Sequence, residues 1–393
     1  MPTDQDHRTA RRVGDAGWVR EALARHWGPA WGAVPPRPLG GKGGPLPLTH
    51  TAGLWRVEHR GDIHLFKVQL EPAASRGPAF PKLKDRVMAH CAARGVPLAR
   101  AVPTLSGAPA AWQDGHPCEV VPFVAGTAAA APSPAQADAV TGAGLALRAA
   151  LDEVPTALAG QLAPVRLPRL VAEEDWRRAL ADAEARLLPM ARRRTDRWGR
   201  AAARALSALV DAAPMLHAAA LDPTPDRLAV VHGDLHHHHF LLDDRSAAPA
   251  DGDPVTQAGA RATVPVGASI GSAPSGGPDR PRVSAVLDFD NLHVGDRLLD
   301  LAWIAETAGR VPGGPSRTRE ALTRFREAAR RAGLPVGDHL PLLMPVLVAH
   351  AAPVVVDIAK DILERDILSP AWLSYFELLD TARRTALHRL LTG

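Results

Sequence analysis

Apolar and polar positions alternate along this chain in runs that divide it into two halves of different character. Val19, Leu23 and Trp27 are spaced by four, which predicts a short amphipathic helix over residues 15–27. A Pro/Gly-rich stretch, 35–47, ends it. Residues 54–59 and 63–69 read as strands joined by the hairpin turn Arg60-Gly61-Asp62. A helix is expected over 81–94, with Gly95 as its C-cap. Residues 119–124 (EVVPFV) are apolar, but Pro122 lacks an N–H and restricts them to an edge strand or a connector. Residues 128–134 are small and carry Pro132 and Pro134, as a linker would. The boundary therefore falls between 1–124 and 125–393.

The second half is mostly helical, over 137–153, 173–193 and 198–219, with helices again from 297 to the end. Three short apolar strands interrupt it, at 228–231, 240–242 and 283–287. Between the last two, residues 243–282 are rich in Ala, Gly, Pro and Ser. Such a segment cannot bury enough surface to offset the entropy of ordering, so it reads as a disordered insertion between two paired strands. The longest apolar run, 342–352, is interrupted by Pro345 and His350. It falls short of the roughly 20 residues a membrane span needs, so no membrane partner is expected.

Composition narrows the class. Apolar residues make up 46% of the 393, enough for cores without staples. The two cysteines, Cys91 and Cys118, lack CxxC spacing. With a polar N-terminus, that points to a reduced, cytoplasmic setting. A net charge of +4, with no Lys/Arg tract interleaved with aromatics, argues against nucleic acid as a partner. Lysines are scarce: Lys42, Lys67, Lys82, Lys84 and Lys360. A well-placed lysine is therefore informative.

The strongest chemical signal is His232-Gly233-Asp234-Leu235, followed by four histidines, His236 to His239, between two expected strands. It falls in register with the H-R-D-L-x-x-x-N loop of kinases, with His239 at the Asn position. Phosphoryl transfer to a hydroxyl needs a carboxylate at the attacking oxygen and a metal ligand nearby, and one short loop can supply both. The second signal is Leu287-Asp288-Phe289-Asp290, where kinases carry a metal-binding D-F-G. The third is Gly295-Asp296-Arg297-Leu298-Leu299-Asp300-Leu301-Ala302, opening a helix.

In that order the three segments resemble the aminoglycoside phosphotransferase and choline kinase-like enzymes, with their HGDLxxxN, IDW or IDF, and GDPxxDLA motifs. The resemblance implies an α+β, two-lobed protein kinase-like fold. A small β-rich N-lobe would hold the nucleotide, and a mostly helical C-lobe would carry catalysis and the acceptor. It implies ATP, a divalent metal and a small-molecule hydroxyl acceptor. Asp234 would match the catalytic base, Asp288 the metal-binding Asp, and Asp300 an Asp that braces the catalytic loop. Lys67 would contact the α/β-phosphates, and the turn Thr51-Ala52-Gly53 would approach them. Asp85 is the expected partner of Lys67 on the next helix. Val121 and Phe123 belong to the hinge that would hold adenine through its backbone, where Pro122 removes one donor. His239 would join Asp288 on Mg²⁺, although a nitrogen ligand suits Mn²⁺ better.

Other readings compete. Lys67 could be an edge-strand lysine, Asp85 could be a solvated helix residue, and Asp290 and Asp296 read as surface or capping carboxylates. Four consecutive histidines invite a zinc site, but neighbours in an extended loop point in alternating directions. Gly267-Ala268-Ser269-Ile270-Gly271 matches G-x-S-x-G, yet no helix follows it. Gly41-Lys42 is followed by Gly43, so no Walker A exists. A kinase-like chain can also survive as a weakly active nucleotide-binding or scaffold protein, and His239 keeps that alternative open. For the acceptor, Glu173, Glu174, Asp175, Asp357, Asp361, Glu364 and Asp366 form either an acidic wall for a cationic substrate or solvated helix faces.

Overall fold

A computed structural model describes residues 15–39, 52–70, 76–165, 176–243, 280–334, 337 and 339–392. The first half is built on a five-stranded antiparallel sheet in the order β1-β2-β3-β5-β4. Its strands are β1 (Arg37–Pro38), β2 (Ala52–His59), β3 (Asp62–Gln69), β4 (Ala111–Gln113) and β5 (His116–Pro122). Arg60 and Gly61 both take positive φ in the β2–β3 turn, the backbone twist that a two-residue hairpin requires. Helix α1 (Ala16–His26) is capped by the Asp15 carboxylate, which accepts from Gly17 N–H. It buries Trp18, Val19, Ala22 and Leu23 with Trp27 and Trp31 against Trp55, Phe66 and Val68 of the sheet. Helix α2 (Phe80–Ala92) ends before Gly95, as expected.

Helix α3 (Pro134–Asp152) opens the second half with a capping box between Ser133 and Gln136, and Pro134 in its first turn. The helices α4 (Thr156–Leu162), α5 (Trp176–Asp182), α6 (Leu188–Arg193), α7 (Arg197–Asp211) and α8 (Ala213–Ala218) follow. A π turn, Ala183–Leu187, joins α5 to α6 where Pro189 cannot donate a helical hydrogen bond. Pro214 likewise splits the single helix expected over 198–219 into α7 and α8.

The short strands form two small sheets. Strand β7 (Leu228–Val231) pairs with β10 (His293–Asp296), and β8 (Phe240–Asp243) lies between β6 (Thr127–Ala128) and β9 (Arg282–Val286). The pairing of β8 with β9 matches the sequence expectation, while the insertion between them lies outside the described residues except at its ends.

Five helices close the fold: α9 (Leu298–Ala308), α10 (Pro315–Arg331), α11 (Leu340–Leu363), α12 (Pro370–Leu378) and α13 (Thr381–Thr392). Every residue of α9 is buried. A Cβ on Gly144 would lie 2.6 Å from Ile304, so glycine lets α3 approach α9 closely enough to join Arg148 to Asp300. The 24 residues of α11 run through Pro345 and Pro353, longer than the broken apolar run suggests. By length and composition α11 could cross a membrane, but its most apolar stretch is 67% buried and it packs on α5, α7, α9 and α13.

Candidate active site

The turn after β7 is held from below. Asp300, fully buried on the first turn of α9, accepts from His232 N–H (3.0 Å) and Gly233 N–H (3.1 Å). Its charge is matched by Arg148, also fully buried, at 2.7 Å. Arg148 further donates to the Val230 carbonyl and to Asp152. Gly233 sits at φ +82°, and a Cβ there would meet the Asn291 carbonyl at 2.6 Å. Glycine is thus required between His232 and Asp234 for both conformation and space.

His232 ties this loop to the Asp288 segment. Its Nε2–H donates to the Leu287 carbonyl (2.9 Å), and its Nδ1 accepts from Asp234 N–H (3.3 Å). Burial, only partly opposed by Asp300, pushes this imidazole down to about 4, so it stays neutral. Asp288 follows with left-handed backbone (φ 59°, ψ 71°), a conformation uncommon outside glycine and found often at functional sites.

Asp234 faces the cleft. Burial raises its carboxyl to about 6, with Asp288 adding to the rise while His239 and Asn291 oppose it. Asn291 Nδ2 donates to Asp234 Oδ2 at 3.2 Å and fixes the carboxylate's orientation. Asn291 was not singled out in the sequence; its signal was its place directly after Leu287-Asp288-Phe289-Asp290.

His239 is oriented by the loop itself. Its Nδ1 lies 2.6 Å from the Asp234 carbonyl oxygen, which can only accept, so Nδ1 carries the proton. The Nε2 lone pair is then free and lies 3.8 Å from Asp288 Oδ2. One nitrogen and one carboxylate oxygen facing each other across that distance fit a divalent cation. Asp234, His236 and His239 also form a group whose ligand atoms lie within 4.8 Å of one another. The His236 Nδ1, however, accepts from His238 N–H, which puts its proton on Nε2, the atom facing Asp234 at 3.9 Å. His236 therefore presents a donor to Asp234, not a lone pair to a metal.

Lys67, on β3, donates to Asp288 Oδ1 (2.9 Å) and contacts Asp290 Oδ2 (2.7 Å). Burial alone would lower its ammonium, but Asp288, Asp290 and Glu119 outweigh it and hold the group well above its ordinary range. Asp85 is not its partner: it forms a two-pronged pair with Arg100. The residue that α2 turns towards the site is Lys84, bound to Glu119 Oε2 (2.8 Å) and Asp290 Oδ1 (2.7 Å). Asp290 thus bridges two lysines, where the sequence suggested a surface carboxylate. Asp296 pairs with Arg227 and caps α9 through Leu298 N–H.

Two expected nucleotide contacts are placed differently. Gly53 lies inside β2, opposite Val68, and a Cβ there would overlap the Trp55 ring at 2.5 Å. Glycine here makes room for Trp55; Ala52 and Leu54 line the cleft at this strand. Thr51 lies outside the described residues. Phe123 N–H donates to the Ile63 carbonyl at 3.0 Å, so that donor is spent within the sheet. Val121, Phe123 and Val124 all line the cleft.

The same cleft continues past Asp234 to His350 and Val354 of α11 and to Trp372 and Tyr375 of α12. Burial, reinforced by Asp234 and Asp288, pushes the Tyr375 phenol well above its usual range. The acidic wall is largely compensated. Asp357 and Asp361 share Arg365, Asp366 pairs with Arg194, and Glu364 pairs with Arg186. Glu173, Glu174 and Asp175 lie outside the described residues.

A β-rich lobe and a helical lobe, meeting at Lys67, Asp288 and Asp234, define a kinase-like architecture. Residues 75–252 match the sequence model of the phosphotransferase enzyme family. Solved structures share the fold. A spectinomycin phosphotransferase in complex with ADP and spectinomycin superposes with a TM-score of 0.59 at 12% identity, over 96% of this chain and 98% of that one. A microcompartment-associated aminopropanol kinase gives 0.57 at 15% identity, over 94% and 95%. An amicoumacin kinase solved with AMP-PNP and Ca²⁺ gives 0.54 at 12% identity, over 95% and 94%. No curated protein sequence matches the chain.

Proposed function

We propose that this chain is an ATP-dependent phosphotransferase acting on a hydroxyl of a small molecule. The observation that carries the reading is the convergence of Asp234, His239, Asp288 and Lys67 on one cleft that runs from the hinge strand to α12. Lys67 would keep its contact with Asp290 and exchange the one with Asp288 for the nucleotide phosphates. Asp288 Oδ2 and His239 Nε2 would hold a divalent cation, Mg²⁺ or Mn²⁺, which neutralises charge on the phosphates. Backbone groups after Phe123 would face adenine, and Val121 would line its site. Asp234, oriented by Asn291, would accept the proton of the acceptor hydroxyl as it attacks. Aromatic and apolar side chains of α11 and α12, with the neutral His350, would receive the acceptor. The structural similarity to a spectinomycin phosphotransferase, an aminopropanol kinase and an amicoumacin kinase supports a small-molecule acceptor. An ATP-consumption screen across antibiotics, amino alcohols and sugars tests the reading. Turnover with any acceptor, lost in Asp288→Asn, is the expected result; nucleotide binding with no turnover on any acceptor would favour the weakly active nucleotide-binding alternative.

A further inference from the structure

Lys84, rather than the candidate Asp85, is the residue that α2 turns towards Lys67 and Asp290. Helix α2 presents it to the cleft, and its side chain is 10% exposed. Both of its contacts are short and carboxylate: Glu119 from β5 below and Asp290 from the loop after β9 above. Asp290 spends its other oxygen on Lys67. The order of contacts is therefore Glu119, Lys84, Asp290, Lys67, Asp288, running from the sheet of the N-lobe to the metal-type carboxylate of the C-lobe. Two lysines against three carboxylates leave one negative charge in excess. Lys84 is also the ammonium that keeps Glu119 and Asp290 from facing each other uncompensated. Arg76 adds a second fastening, donating to the carbonyls of Asp290 and Leu292.

We infer that Lys84 is a positioning residue for nucleotide phosphate: it anchors Asp290, and Asp290 in turn sets where Lys67 stands. Lys84 is already engaged by two carboxylates and does not itself touch phosphate. Without it, Asp290 and Glu119 would both draw on Lys67, and their uncompensated charge would repel the polyphosphate. The adenine end of the cleft, at Val121 to Val124, is untouched by this chain of contacts. The effect should therefore fall on phosphate recognition alone.

This inference rests on the phosphotransferase reading, and its test separates the two. The full chain, with Mg²⁺ or Mn²⁺ present, is titrated calorimetrically with AMP-PNP and, separately, with adenosine. Lys84→Met, Asp290→Asn and the double variant are compared with wild type. Each single substitution should weaken AMP-PNP by about tenfold or more, while adenosine stays within about twofold. Because Lys84 acts through Asp290, the double variant should be no weaker than the worse single one. Unchanged AMP-PNP affinity in Lys84→Met overturns the inference, as do losses that add in the double variant or an equal loss for adenosine. Should Lys84→Met fail to fold, Asp290→Asn, whose side chain is 40% exposed, decides alone. Unchanged AMP-PNP binding in it overturns the inference. A wild-type chain that binds neither compound defeats the phosphotransferase reading and takes this inference with it.

Discussion

Replacing Asp300 with alanine should cost the protein more stability than removing any exposed carboxylate. Asp300 is fully buried and accepts three hydrogen bonds, one of them from the fully buried Arg148 at 2.7 Å. Removing one partner of a buried ion pair typically costs about 3–5 kcal/mol, because the other charge stays buried. Arg148 would keep Asp152 and the Val230 carbonyl, which lowers that figure. Orphaning His232 N–H and Gly233 N–H, at roughly 1–3 kcal/mol per buried group, raises it again. We therefore expect about 4 kcal/mol, a large part of the roughly 5–15 kcal/mol that holds a typical fold. The control is Asp85→Ala. Its pair with Arg100 is a quarter to nearly half exposed, and such pairs contribute about 1 kcal/mol or less. Urea unfolding with linear extrapolation measures both variants. Equal losses in the two, or a loss under about 1 kcal/mol for Asp300→Ala, would refute the claim that this pair holds the loop.

Asp234→Ala should lower turnover by about 10²- to 10⁴-fold while leaving nucleotide affinity within a few-fold; near wild-type turnover in steady-state assays would remove it as the base. Its carboxyl, raised to about 6, also gives turnover a rising limb as pH passes upward through that value. The same shift makes a stability prediction. A carboxyl whose folded value lies above its unfolded value loses stability for the fold as pH rises from about 4 to about 6. Asp234→Asn should then exceed wild type by on the order of 1–3 kcal/mol at pH 8, with the gap closing by pH 4. Thermal melts at the two pH values check the sign, and a gap that widens on acidification contradicts it. His239→Asn should shift metal preference from Mn²⁺ towards Mg²⁺, because it exchanges a nitrogen ligand for a carbonyl oxygen. An unchanged Mn²⁺/Mg²⁺ activity ratio would mean that His239 does not ligate the metal.

What the sequence disclosed and what it hid follow from the range of the interactions involved. The β2–β3 hairpin, α1, α2 and the β7–loop–β8 unit were legible because each is set by contacts within about a dozen residues: spacing of apolar positions, a Gly turn, a cap. The three motifs were legible because their spacing along the chain is itself the constraint. Side-chain partners were not, because a helix face turns by 100° from one residue to the next. Asp85 has the charge expected of a partner for Lys67, but it sits one position round the helix, towards Arg100. Lys84 faces the site with the opposite sign. Its charge becomes intelligible only with Glu119 and Asp290, which lie 35 residues after it and 206 residues after it in the chain. The acid expected on α2 has in effect been supplied by the loop that also carries Asp288. The consequence is physical: Lys67 is held from the 288–290 segment, so the position of the lysine proposed to contact phosphate and that of the carboxylate proposed to hold metal are coupled through a single short turn.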